Sequence, residues 1–554
     1  MSIKRSRATR KRSKSYLSPS QKKTRNISMI TFISAGVVAL AAVAMVIFFS
    51  HDWSVIREQQ REAQASEIKE ETGVPETTSD EEAEKARKEE ERKAFEAHVL
   101  SIEPDFEFAH FRGEPTLTPT GDDLLDRAYR LAAGYDYDAA VLLLKTVTGY
   151  GNIPEYRNAL QYFYECKASL RKWEINNNIT HIFFHSLIVN PGITFDPKES
   201  GYKLNDYNEA MTTVNEFVAI MESMYEKGFV LVDIYDVARI EIQADGSEKM
   251  TYQSIMLPED KIPFILSIDD TNYYEYMTGD GFANHLVVTE DGRVQNDYTL
   301  KNGETITGSF DVIPILEDFI EMHPDFSYKG GRGMLGVTGY NGVLGYRTSN
   351  YWYDPNCPYF EDNEVNRKYF REEIYSGYNE NIEEDKVTAT KVADAIKAMN
   401  WHFASHTWGH KRLGEVGMPT IVWDSDMWER EIMPIVGKTD LLIFPYGNDI
   451  GMGVSWRTYT FYGYNERYET LKHKYGFNYF FNVDSSVYFM QRTDEYFRQG
   501  RRNLDGDRLW EAVYADEGYE GWKNRTEDLF DDPRTVIDEL RPELQKFKGK
   551  DVPD

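Results

Sequence analysis

From residue 178 onward the chain alternates short apolar blocks with amphipathic stretches, and this rhythm constrains the fold more than any other feature. "THIFFHSLIV", "FVLVDIYDVA", "FILSIDD", "GMLGVTG", "WHFASH", "DLLIFPYG" and "FNYFFNVDSS" read as strands rich in Ile, Val, Leu and Phe. Between them, "NEAMTTVNEFVAIMESMYEKG", "VIPILEDFIEMH", "VTATKVADAIKAMN", "WEREIMPIVG" and "YETLKHKYG" carry apolar residues at helical spacing. Repeated strand–helix units predict an α/β fold, a parallel sheet with helices outside, open or closed into a barrel. In such folds chemistry collects at the carboxyl ends of the strands, and the polar residues of interest here all follow apolar blocks.

A chain of 554 residues holds more than this one unit. Its first 25 residues carry ten Lys/Arg and no acid, and they run into 21 uncharged residues, "MITFISAGVVALAAVAMVIFF". That run spans about one bilayer and is longer than a signal-peptide core, so we expect a transmembrane anchor. The basic flank stays cytoplasmic and the rest lies outside. The expected order is a basic tail (1–26), a transmembrane helix (27–50) and a charged stalk (51–105), then a helical region resembling a tetratricopeptide hairpin (106–177). The strand–helix domain (178–510) and a C-terminal extension (511–554) follow. Net charge of -29 argues against a nucleic-acid partner for the bulk of the chain. Two cysteines, Cys166 and Cys357, are compatible with a disulfide outside the cell or with two buried thiols.

The stretch Ser405–His410, "SHTWGH", sets two imidazoles four residues apart. If Ser405 caps a helical turn, His406 and His410 share a face and can meet one ion; the alternative is two histidines satisfied by hydrogen bonds. His181 and His185 have the same spacing but lie in a strand, where four residues span about 13 Å, too far to share a metal. "FILSIDD" supplies two carboxylates after an apolar block, Asp269 and Asp270, readable either as a solvated turn or helix cap or as one metal ligand with a neighbouring base. Joined to the histidines they make the equipment of metal-assisted hydrolysis.

With these motifs the sequence resembles the polysaccharide deacetylases, carbohydrate esterase family four, with the NodB-homology fold. The stretch Ser267-Ile268-Asp269-Asp270 is similar to the family's first motif, and His406-Thr407-Trp408-Gly409-His410 to its second. The resemblance covers about residues 178–500 and implies a distorted (β/α) barrel. It also implies Asp269 as catalytic base, with Asp270, His406 and His410 as ligands of a divalent ion, zinc first. Ile443-Phe444-Pro445-Tyr446-Gly447 matches the third motif without its arginine, so Tyr446 would keep an oxyanion-hole N–H while the group orienting Asp269 is missing. The terminal histidine that serves the family as general acid has no counterpart; His185 is the substitute, with Asp484 behind it. A long insertion between Asp270 and Ser405 contains the hairpin-like "VVTEDGRVQNDYTLKNGETITG". The expected substrate is an acetylated envelope polysaccharide, peptidoglycan N-acetylglucosamine first. Exported poly-N-acetylglucosamine or an O-acetyl glycan comes next, and an inactive glycan-binding scaffold on the same fold is the rival.

Overall fold

The computed structural model describes residues 78–174, 178–368, 378–451, 461–483, 489–516 and 526–544. The chain divides into two compact units, Met1–Lys88 and Glu89–Asp554. The first contributes only the opening turns of helix Thr78–Ile102 to the described residues. The apolar run 27–50 lies outside them, and no described helix is long and apolar enough to cross a membrane.

In the second unit, seven parallel strands among the described residues close into a barrel: β1 (Thr180–Phe184), β2 (Ile262–Ile268), β3 (Met334–Val337), β4 (His402–Ser405), β5 (Leu441–Ile443), β6 (Tyr479–Val483) and β7 (Phe497–Asn503). Their order around the ring is their order in the chain, and closure comes from β7 pairing β1 and β2 pairing β3. Every pairing in the ring is parallel. Covered on both faces, β2 reads as an apolar run, buried from Pro263 to Ile268. The block "FVLVDIYDVA" contributes a short strand, Phe229–Leu231, that pairs with β2 outside the ring.

Helices pack outside. Val214–Glu226 starts at a capping box in which Thr213 and Glu216 satisfy each other's backbone N–H groups. Glu216 also pairs with Arg541, both fully buried, so residues of the C-terminal extension clasp the barrel. Helices Asp123–Ala133, Tyr137–Lys145 and Pro154–Ser169 share an apolar core with the barrel through Leu125, Leu144, Phe163, Ile265 and Phe481. The insertion between Asp270 and Ser405 holds the expected hairpins as a three-stranded antiparallel sheet, His285–Val288, Val294–Thr299 and Thr305–Gly308. Cys166 and Cys357 are both free thiols.

Candidate metal centre

Two strand ends bring the candidate donors together. Asp270 follows β2, and His406 and His410 follow β4, adjoining β3 between them. One ligating atom from each of Asp270, His406 and His410 lies within 4.8 Å of the other two. Nε2 of His410 is 3.7 Å from one oxygen of Asp270, and Nε2 of His406 is 4.0 Å from the other.

The backbone holding these donors differs from the helical turn expected at Ser405. β4 ends at Ser405, and the next residues form an irregular turn with Thr407 and His410 in the left-handed region, at φ 59° and 51°. The Ser405 hydroxyl does cap, accepting the N–H of Thr407 at 3.2 Å. Asp424 accepts the N–H groups of Trp408 and Gly409, each at 2.8 Å, and fixes the middle of the turn. Trp408 is buried against Gly339, where any Cβ would overlap its indole, and its Nε1–H donates to Glu431 at 2.8 Å. Asp270 (φ 55°) and Tyr446 (φ 56°) are left-handed too, so costly backbone conformations gather at this one site.

Two of the three candidate ligands are prepared for a cation. His406 Nδ1 lies 3.0 Å from the Ile443 carbonyl, which fixes the Nδ1–H tautomer and leaves Nε2 as the ligating atom. Burial pushes the His406 imidazole down to about 4, against the pull of Asp269 and Asp270, so it is neutral as ligation requires. Asp270 Oδ1 accepts the Tyr274 hydroxyl at 2.6 Å. Burial would raise the Asp270 carboxyl, but His410 and His406 override it and hold it below the usual range. A carboxylate and two imidazoles, one of them oriented by a backbone carbonyl, at an open barrel mouth fit a divalent ion of the zinc type.

Asp269, 4 % exposed, stands beside this cluster and answers the missing arginine. Arg501 of β7 binds it through both terminal nitrogens, at 2.6 and 2.9 Å. Burial alone would raise the Asp269 carboxyl; the guanidinium, followed by His406, overrides it and keeps the group ionised well below the usual carboxylate range. Beneath Arg501, Ser267 Oγ accepts from the guanidinium at 3.1 Å and lies 2.9 Å from His181 Nε2. His181 is buried inside the barrel, with Nδ1 3.2 Å from Gln499. It is a structural histidine, away from the mouth.

The mouth opens into a cleft of about 510 Å³ lined by Asp269, Asp270, His406, His410, His185 and Tyr446, among others. His185 follows β1 and bonds the Ala210 carbonyl through Nδ1 at 2.9 Å. Tyr446 is exposed, its ring 4.4 Å from that of His410 and capped by the Arg412 guanidinium at 3.8 Å. Asp484 lies outside the described residues.

Arg501 is the residue of the candidate site that sequence reasoning missed. Its strand, "FRQGRRN", is charged and lacks apolar alternation, yet it is buried almost throughout. Each arginine has its own carboxylate: Arg498 on Asp449, Arg501 on Asp269 and Arg502 on Asp528. The one available signal was three arginines in a chain where acids outnumber bases.

Neither a family model nor a curated protein matches the sequence. One solved structure is similar, a Streptococcus pyogenes deacetylase, PplD, in complex with acetate. It is 12% identical, the alignment covering 60% of this chain and 93% of that one, with a TM-score of 0.30. The likeness is weak and partial. What defines the class is the site on this chain: a closed α/β barrel with a candidate metal-binding triad at its mouth.

Proposed function

We propose that the chain is a divalent-metal-dependent hydrolase that removes N-acetyl groups from an envelope polysaccharide, with N-acetylglucosamine units of peptidoglycan as first substrate. Exported poly-N-acetylglucosamine and O-acetyl glycans are the next choices. The observation that carries this reading is an ionised, buried Asp269 gripped by Arg501 directly beside the Asp270, His406 and His410 donors.

Asp270, His406 and His410 would hold the cation, zinc first. When bound, it supplies Lewis acidity for polarising an acetamide carbonyl and acidifying water. Asp269 is the general base: Arg501 fixes both its oxygens, and the proton of the attacking water goes to a remaining lone pair facing the cleft. The Tyr446 N–H donates to the developing oxyanion, and His185 delivers a proton to the departing amine. Acetate and a free amine result. The rival scaffold reading drew on the absent arginine and the absent terminal histidine, and Arg501 takes the first of these away.

The basic tail and the apolar run support a single-pass anchor with the N-terminus cytoplasmic and the catalytic domain outside, facing envelope glycans. The test is acetate release from N-acetylglucosamine polymers by the purified chain with and without chelator. Chelator-sensitive release that is lost in Asp269→Asn supports the proposal; glycan binding without any release favours the scaffold.

A further inference from the structure

Three tyrosine rings form a column beside the metal centre. Tyr340 stacks on Tyr274 at 5.2 Å and 17°, and Tyr274 stacks on Tyr276 at 5.4 Å and 14°. The inner rings are anchored: Tyr274 is 3 % exposed, and its hydroxyl joins Asp270 and Thr338 at 2.6 and 2.7 Å. The outermost ring, Tyr276, lines the cleft and is 49% exposed. Tyr202, 88% exposed, lines the same cleft from a separate loop. Lys203, next to it, ties the two loops together by donating to the Tyr276 carbonyl at 2.7 Å and pairing with Asp280. Asp280 also accepts the Tyr207 hydroxyl at 2.7 Å.

We propose that Tyr276, with Tyr202, is a stacking subsite for a sugar ring next to the one being deacetylated, so that the cleft selects a polymer over a single sugar. This rests on the deacetylase reading for what happens at the metal centre. A flat ring held rigid and left open to water in a substrate cleft favours a ligand with an apolar face and a polar rim. A pyranose is such a ligand, with C–H groups on its face and hydroxyls around its edge. The column sets the position: Tyr276 lies one ring beyond Tyr274, whose hydroxyl touches the metal ligand Asp270, so a sugar on Tyr276 is a neighbour of the reacting unit. Because Tyr274 and Tyr340 back the outer ring, little side-chain freedom remains to be lost on binding.

The test is calorimetric binding of the N-acetylglucosamine monomer and its tetramer to the metal-stripped, detergent-solubilised full-length chain. The tetramer is expected to bind about tenfold more tightly than the monomer; Tyr276→Ala should remove most of that difference, while Tyr276→Phe, which keeps the ring, should retain it. Tyr202→Ala should weaken the tetramer in the same direction, and it serves as the deciding variant should Tyr276→Ala lose its folded melting transition. Equal binding of monomer and tetramer by the wild type, or undiminished tetramer binding by the folded alanine variants, would overturn the subsite. Tetramer binding that depends on Tyr276 without acetate release on adding zinc would instead defeat the hydrolase reading and leave the subsite standing.

Discussion

Arg501 and Asp269, 232 residues apart in sequence, form a two-pronged ion pair at the mouth of the barrel, with the guanidinium fully buried. The arginine reaches Asp269 from β7 and joins the last barrel strand to the end of the second. A planar fork satisfies both carboxylate oxygens at once and fixes their orientation, which a lysine cannot do.

Arg501→Ala should therefore cost both stability and turnover. An unpaired buried carboxylate costs about 3–5 kcal/mol, and a displaced base lowers acetate release by about 100-fold or more. Arg501→Lys should recover part of the stability and little of the rate. Denaturant unfolding and acetate release, measured side by side, check both statements.

Tyr274→Phe removes the hydroxyl that orients Asp270 and leaves the ring column in place. Loss of such an outer partner weakens metal affinity by about 10–100-fold. Competition for zinc against a chromophoric chelator measures the change; unaltered affinity would show that the hydroxyl does not orient the ligand.

Asp424→Ala leaves the N–H groups of Trp408 and Gly409 without their acceptor, in the turn that presents His410. Each buried, unsatisfied donor costs about 1–3 kcal/mol, and the turn should relax away from its left-handed geometry. The expected result is a lower unfolding midpoint together with weaker metal binding, whereas Asp424→Asn, which keeps one acceptor, should lie between.

Glu107 gives a pH prediction away from the site. Burial, then the neighbouring Asp538 carboxyl, pushes its carboxyl up from 4.5 to about 10, while the Asn215 N–H pulls the other way. The folded state thus holds a proton that the unfolded state releases. Its stabilising contribution is complete below the ordinary Glu value and declines as pH rises toward about 10. Between pH 6 and 9 this one proton gives a slope of about 1.4 kcal/mol per pH unit at most. Glu107→Gln should flatten that slope and raise stability at pH 8, as read by urea midpoints across the range.

The apolar strands were readable because burial on both faces leaves a nearly continuous hydrophobic run, as in β2 and β6. Asp269, Asp270, His406 and His410 were readable because strand ends and short spacings survive in the sequence. The left-handed turn at Thr407 and His410 was not, since a helical turn and an irregular one share the same i,i+4 spacing. β7 was hidden for a different reason: its buried residues include three arginines and a glutamine spread over both faces, and what makes the arginines' burial tolerable is a set of carboxylates tens to hundreds of residues away. Periodicity sees only neighbours along the chain. The tyrosine column likewise joins residues 274 and 276 to residue 340 within the segment between Asp270 and Ser405.

The most direct test of the central claim is elemental analysis of the purified chain alongside His406→Ala and His410→Ala, with acetate release measured on the same samples. The account predicts one divalent cation per wild-type chain, little in either variant, and release from N-acetylglucosamine polymer that follows metal content. Full metal occupancy in both variants, or polymer deacetylation undisturbed by stripping the cation, would contradict it.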